Sequence, residues 1–320
     1  MLMRLNLSKQ HIGILLVIFS SVCFAFVPNS GKIALDAGSS LFFLIVSRYA
    51  IGIVLLLPLI LLTRSGETRS GLKIQRHQLR PLIITSLMAL GLLLATYHAI
   101  DYLDIGLVLL ILYSFPIGVA LIAQSQGRER FSRNRWLCMV AVIMGLGLMI
   151  YDGGGEISTY GVFISIIGLV CFVLFIDTSS GLAVSIGGAV LNFYISLIGL
   201  VTLMLAFMLP LGLEMALPQT TPGVISIFSN GVFFILSWVL FFEGARLIGA
   251  TRASLLACVE PLFAALLAML LLNQMLSAVE WIGFFIVLTA IWLFERLALP
   301  AAPAADTPSQ PQKQSRQHTP

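Results

Sequence analysis

Residues 109–123 read LLILYSFPIGVALIA and residues 254–268 read SLLACVEPLFAALLA. Set 145 residues apart, they agree at Leu110/Leu255, Pro116/Pro261, Ala120/Ala265, Leu121/Leu266 and Ala123/Ala268, and Trp136/Trp281 follow in the same register. Apolar segments share Leu and Ala by chance, but a common proline within the run and a common tryptophan beyond it weigh more. A second match, residues 13–24 against 161–172 at an offset of 148, keeps Gly13/Gly161, Ile18/Ile166, Val22/Val170, Cys23/Cys171 and Phe24/Phe172 identical. The chain therefore reads as a duplication.

Composition says what was duplicated. Of 320 residues, 59% are hydrophobic and 10% charged, with mean hydropathy +1.02. A soluble domain carries roughly a quarter of charged residues, so the solvent expected for this chain is lipid. Ten stretches reach, or nearly reach, the roughly 17–25 residues needed to cross a ~30 Å hydrocarbon core: 12–28, 41–62, 81–100, 105–123, 136–151, 160–176, 187–209, 223–242, 253–272 and 277–294. Stretches of about 10 residues with alternating polarity, as a membrane barrel requires, are missing. The predicted fold is an all-α polytopic membrane protein, with ten transmembrane helices as two inverted five-helix repeats. The inversion follows from the odd number, since a copy appended to five spans enters the bilayer upside down. The predicted units are an N-terminal cytoplasmic segment at 1–11, repeats at 12–151 and 160–297, and a disordered Pro-, Ala- and Gln-rich cytoplasmic tail at 298–320.

Arg4 and Lys9 ahead of the first apolar run resemble a secretory leader, but no small-x-small cleavage site follows, and a retained first helix is expected. Cys23, Cys138, Cys171 and Cys258 all fall inside spans, form no CxxC, and read as packing residues. The net charge of +4 is explained by its location. Arg64, Arg69, Lys73, Arg76 and Arg80 crowd the connection after the second span, and Arg128, Arg130, Arg133 and Arg135 the one after the fourth. The intervening connections carry Asp101 and Asp104, then Asp152 and Glu156. Basic connections stay cytoplasmic, which places the spans in an inner membrane with both termini in the cytoplasm. In the second half, the connections at 210–222 and 273–280 hold no base, as an inverted copy requires.

The chain resembles the EamA family of the drug/metabolite transporter superfamily. The resemblance is strongest at residues 250–274, ATRASLLACVEPLFAALLAMLLLNQ, and at residues 107–129, which include LILYSFPIGVALIAQSQGRE, and extends to the 39–62 segment with Arg48 early in the second span. The family pattern places a Glu near the end of the fourth and ninth spans; Glu129 matches, whereas Gln274 replaces the other. The resemblance implies transport of small polar metabolites, often export.

A charge at bilayer depth is costly and normally faces protein or a water-filled cavity, so polar residues inside the spans are the candidates. Glu260 is foremost, beside Pro261 in the middle of the ninth span, with Phe115 at the equivalent position of the first repeat. Two readings stand: a substrate-binding or protonatable carboxylate, or half of an intramembrane ion pair. Arg48, about 10 Å into its span at 1.5 Å per residue, reads as a substrate-carboxylate ligand or as a structural clamp. His98 and Glu243 are equivalent at the 145 offset; His98 is a candidate for proton coupling or an interfacial residue. Tyr113, Asn192, Asn230 and Trp238 are further candidates for substrate contact, against interhelical bonding. Asn29, Lys32 and Asp36 are expected on the rim of the first external turn. Gly145, Gly147 and Gly283 fit close helix approach, and the resemblance suggests that the fifth and tenth spans stand outside the core and form a dimer contact.

No P-loop, no His-Glu-x-x-His helix and no Gly-x-Ser-Gly motif is present. Tyr151-Asp152 supplies one half of an aspartyl intramembrane protease pattern without the Gly-x-Gly-Asp half. The expectation is a secondary transporter rather than an enzyme, moving an amino acid or related compound by alternating access, with proton coupling through Glu260 or His98. A non-transporting receptor or scaffold is the alternative. The partners expected are a small-molecule substrate and the lipid bilayer, with no nucleic acid, no cofactor and no metal, in a monomer or weak homodimer.

Overall fold

The computed structural model describes residues 9–62, 72–150, 157–272 and 276–297. Arg64, Glu67, Arg69, Asp152, Glu156, Gln274 and the tail from 298 onward lie outside the described residues. The described chain is all helical: α1 (Lys9–Asp36), α2 (Leu41–Leu62), α3 (Arg76–Ile100), α4 (Ile105–Leu112), α5 (Phe115–Ser125), α6 (Arg133–Ile150), α7 (Thr159–Ile186), α8 (Gly188–Phe207), α9 (Thr221–Ile248), α10 (Ala250–Ala257), α11 (Glu260–Leu272) and α12 (Ala278–Leu297). By length and composition they make ten spans, because α4 with α5 and α10 with α11 each form one.

Several helices outrun the apolar stretches that announce them. α1 continues past Pro28 to Asp36, so Asn29, Lys32 and Asp36 stand on its last turns and not in a turn. Proline bends a helix without ending it when its lost hydrogen bond is tolerated. α7 and α9 likewise extend ten and six residues beyond the apolar stretches and stop at Gly187 (φ 84°) and Gly249 (φ 88°), each of which opens the next helix at once. A left-handed φ favours glycine.

The fourth and ninth spans, predicted as continuous, are each broken. The first break falls at Tyr113-Ser114 and the second at Cys258-Val259, 145 residues on. Pro116 and Pro261 follow as the second residues of α5 and α11. Lacking an N–H, they leave the carbonyls of Leu112 and Ala257 without their i+4 donors. The first half-helices of the two spans begin differently. Asp104 caps α4 by accepting from Gly106 N (2.8 Å) and Leu107 N (3.3 Å). Its counterpart is Gly249, which has no side chain; there the Glu129 carboxylate reaches to 3.7 Å from where a Cβ would sit. An acid beside a helix N-terminus is favourable in either arrangement.

Packing follows the duplication. The most extensive contacts are α1 with α9, α3 with α7, and α6 with α12. Exchanging the repeats turns the α1–α9 pair into α7–α3, and maps α6–α12 and α2–α8 onto themselves. The α1–α9 crossing is as close as backbones allow: a Cβ on Gly244 would lie 2.9 Å from the Gly13 carbonyl oxygen. The α6–α12 crossing repeats this, with a Cβ on Gly145 meeting the Gly283 carbonyl oxygen at 2.9 Å. Those two glycines therefore join α6 to α12 within one chain.

Candidate functional site

Where the two breaks meet, the Cys258 thiol faces the Tyr113 carbonyl oxygen at 4.0 Å. Beside this point lies a cavity of about 620 Å³, lined from nine of the ten spans. Much of its wall obeys the repeat. Ala89, Leu93 and Thr96 on α3 line one side, and their 145-offset counterparts Phe234, Trp238 and Phe241 on α9 line the other. Phe24 and Phe172, identical in the alignment, both line it as well. The symmetric α3 and α9 positions thus carry small or aliphatic residues in the first repeat and aromatic ones in the second.

The aromatic side is an interlocked cluster. Trp238 meets Phe24 edge-on at 5.0 Å and Phe175 at 4.9 Å, and stacks on Phe242 at 5.4 Å. Each such pair contributes about 0.5–1.5 kcal/mol beyond its buried area. Phe115 is 2% exposed and stacks on Phe172 at 4.1 Å. Its counterpart Glu260 is half-buried, faces the cavity from the first turn of α11, and has the Tyr113 phenol as its side-chain neighbour. No cation lies within ion-pair distance of Glu260 among the described residues. The partial positive charge of the α11 N-terminus is what favours its carboxylate.

The cation of the site is Arg48, 8% exposed. Its Nε donates to Asn230 Oδ1 at 2.6 Å, and its guanidinium lies over the Phe234 ring at 5.2 Å. Asn230, fully buried, donates in turn to the Val27 carbonyl oxygen (2.7 Å) and to Ser30 Oγ (2.9 Å), on either side of Pro28. One amide thus ties α1, α2 and α9 together and sets the direction of the guanidinium, whose remaining face lines the cavity. No carboxylate pairs with Arg48 among the described residues.

Of the sequence candidates, Arg48, Tyr113, Asn192, Trp238 and Glu260 line one cavity. Asn192 also donates to the Ile235 carbonyl oxygen at 3.2 Å. Asn230 stands behind the wall as the clamp of Arg48. His98 is outside the lining, exposed at the end of α3, with Nε2 3.3 Å from Tyr160 Oη and Nδ1 3.8 Å from Asp101. Glu243 accepts from Gly188 N (2.7 Å) and pairs with Arg246, which makes it the cap of α8. Phe24, Tyr49, Phe172, Phe175 and Phe234 line the cavity without having been singled out as candidates; the identity of Phe24 and Phe172 across the repeat was the available signal.

The cavity reaches Ile100, Ile105 and Ile150, the ends of α3, α4 and α6 that lie away from Arg76 and Arg133. Toward the basic end the repeats are joined by the Arg128–Asp177 ion pair, by Thr85 Oγ1 to Thr178 Oγ1 (2.8 Å) and by the Tyr194 hydroxyl donating to the Leu72 carbonyl oxygen. No cluster of three or more His, Cys, Asp or Glu suited to a metal ion occurs among the described residues.

Known proteins place this architecture. A solved crystal structure matches with a TM-score of 0.72 over 89% of this chain and 99% of its own, at 15% identity, which speaks to the fold alone. An uncharacterized inner membrane transporter, YicL, of Salmonella typhimurium (strain LT2) is 41% identical over 58 residues, 18% of this chain. That match spans 19% of the relative's own length. The pattern of the EamA-like transporter family fits twice, at residues 11–151 and 159–296. With a duplicated five-span unit, paired helix breaks and a cavity between them, the chain belongs to the EamA-like transporter family, within the drug/metabolite transporter superfamily.

Proposed function

We propose that the protein exports a small zwitterion, an amino acid or a related compound, across the inner membrane by alternating access. The observation that carries this is a cavity of about 620 Å³ with a mainly aromatic and aliphatic wall that holds one cation, Arg48, and one acid, Glu260, neither with an ion-pair partner among the described residues. Arg48 offers the planar fork that suits a carboxylate. Glu260, with Tyr113 beside it, offers the acceptor for an ammonium group. Trp238 and its neighbours take the apolar body, since such sites combine an apolar wall with a few placed polar groups.

The orientation comes from the basic connections. On that basis the termini are cytoplasmic and the conformer described is open away from the cytoplasm. Glu260 exchanges its proton for the substrate ammonium, which couples export to a proton gradient. Binding shifts the balance between states only through contacts that differ between them. The Arg128–Asp177 pair, between the repeats, is a contact that the inward-open state must give up.

The test uses the full chain in proteoliposomes loaded with a mixture of amino acids, with release followed at several pH values. Wild type is expected to release a subset of them; Glu260→Gln is expected to lose that release and its pH dependence. Equal release by both proteins rejects the role of Glu260. A comparison of internal and external metabolite pools, with and without the protein, identifies the substrate independently.

A further inference from the structure

We propose that the groove between α6 and α12 holds an acyl chain of an anionic glycerophospholipid whose headgroup sits between Arg133 and Arg296. The two helices touch backbone to backbone at Gly145 and Gly283. Packed helices cross at an angle, so they part on the basic side of that crossing. The space left is an open groove of about 760 Å³, walled by Leu137 and Ala141 on α6 and by Ile282, Phe285 and Leu293 on α12. Cys138 and Ala290, both buried, lie among its lining residues. From Ile282 to Leu297 it follows α12 for about 22 Å at 1.5 Å per residue, longer than one leaflet of a ~30 Å core. It shares no lining residue with the central cavity.

Its chemistry changes at one end. Asn134 and Leu297 close the lining there, and the neighbouring Arg133 and Arg296 are both exposed. Arg296 lies over the exposed Trp292 ring at 4.9 Å, an arrangement suited to the headgroup level. Arg128, Arg246 and Arg252 at the same end pair with Asp177, Glu243 and Glu295. Arg133 and Arg296 have no carboxylate within ion-pair distance among the described residues. Basic residues at the membrane surface beside an interhelical apolar slot select anionic headgroups. A second copy is the poorer occupant. A symmetric pair in one membrane sets its basic ends level and facing each other, which brings the exposed Arg133 and Arg296 of one copy toward those of the other.

The test adds dioleoylphosphatidylglycerol or dioleoylphosphatidylcholine to the full chain in mild detergent, with retained lipid read by native mass spectrometry and stability by thermal unfolding. The phosphatidylglycerol is expected to bind more tightly and to raise Tm more. Each arginine near the surface accounts for about a fivefold preference, so Arg133→Gln with Arg296→Gln is expected to remove about 25-fold of it and to leave phosphatidylcholine binding unchanged. Ala141→Trp, which fills the groove, is expected to weaken both lipids; Thr289→Phe at an exposed lining position serves if that variant does not fold. Equal retention of the two lipids, an undiminished preference in the double arginine variant, unchanged binding in the filled groove, or a dimer that the filled groove dissociates while lipid retention stays the same, overturns the proposal.

Discussion

The two helix breaks have one architecture and two chemistries. Each interrupts a span at the same depth of its repeat, each is followed by proline as the second residue of the next helix, and each frees a carbonyl. The residue that opens the second half-helix is Phe115 in one and Glu260 in the other. Phe115 is spent on stacking with Phe172, whereas Glu260 is left facing the cavity. What the repeats share is therefore what the fold needs. What they do not share, an acid against a ring and Phe234, Trp238 and Phe241 against Ala89, Leu93 and Thr96, gives the cavity two unlike walls.

The sharpest way to break this comparison is to make the halves alike. Phe115→Glu puts a second acid into a site 2% exposed, where an unpaired charge costs several kcal/mol. The expected result is little folded protein by size exclusion, and normal yield would show that the first break is as permissive as the second. Phe115→Ala is expected to cost about 3–5 kcal/mol, measured by denaturant unfolding. Glu260→Gln is expected to leave Tm within a few degrees and to lower substrate release at least a hundredfold. Arg48→Lys keeps the charge but loses the planar fork and the bond to Asn230; about a tenfold rise in apparent KM is expected, with Asn230→Ala giving a similar rise and a lower Tm. At the bottom of the scale His98→Ala, outside the cavity, is expected to change release less than twofold at any pH. A flattened pH profile in that variant would move the coupling site from the centre to the rim.

Much of this was legible because it is local or periodic. Ten apolar stretches, the 145-residue register and the proline pair can be read from one line of text. The breaks were half legible: Pro116 and Pro261 stand at matching points of the repeat, but whether a helix bends or stops at a proline depends on what packs around it, and α1 runs on through Pro28. Arg48 read equally as a ligand or a clamp because its partner Asn230 is 182 residues away and its ring partner Phe234 still further. His98 falls two residues before the end of the 81–100 stretch, just ahead of Asp101, so its interfacial reading was legible, whereas its contact with Tyr160, 62 residues on, was not.

The glycine crossing of α1 and α9 bears on how such a molecule would move. Helices whose backbones already touch at Gly13 and Gly244 have no side-chain layer between them in which to slide. The α3–α7 pair, its counterpart under repeat exchange, has Gly168 set against Ala95. Each pair takes one member from the front of the chain and one from the back. On the alternating-access reading, the stiff bodies of the cycle are these mixed couples, and the hinge runs through both copies of the gene-duplicated unit rather than between them.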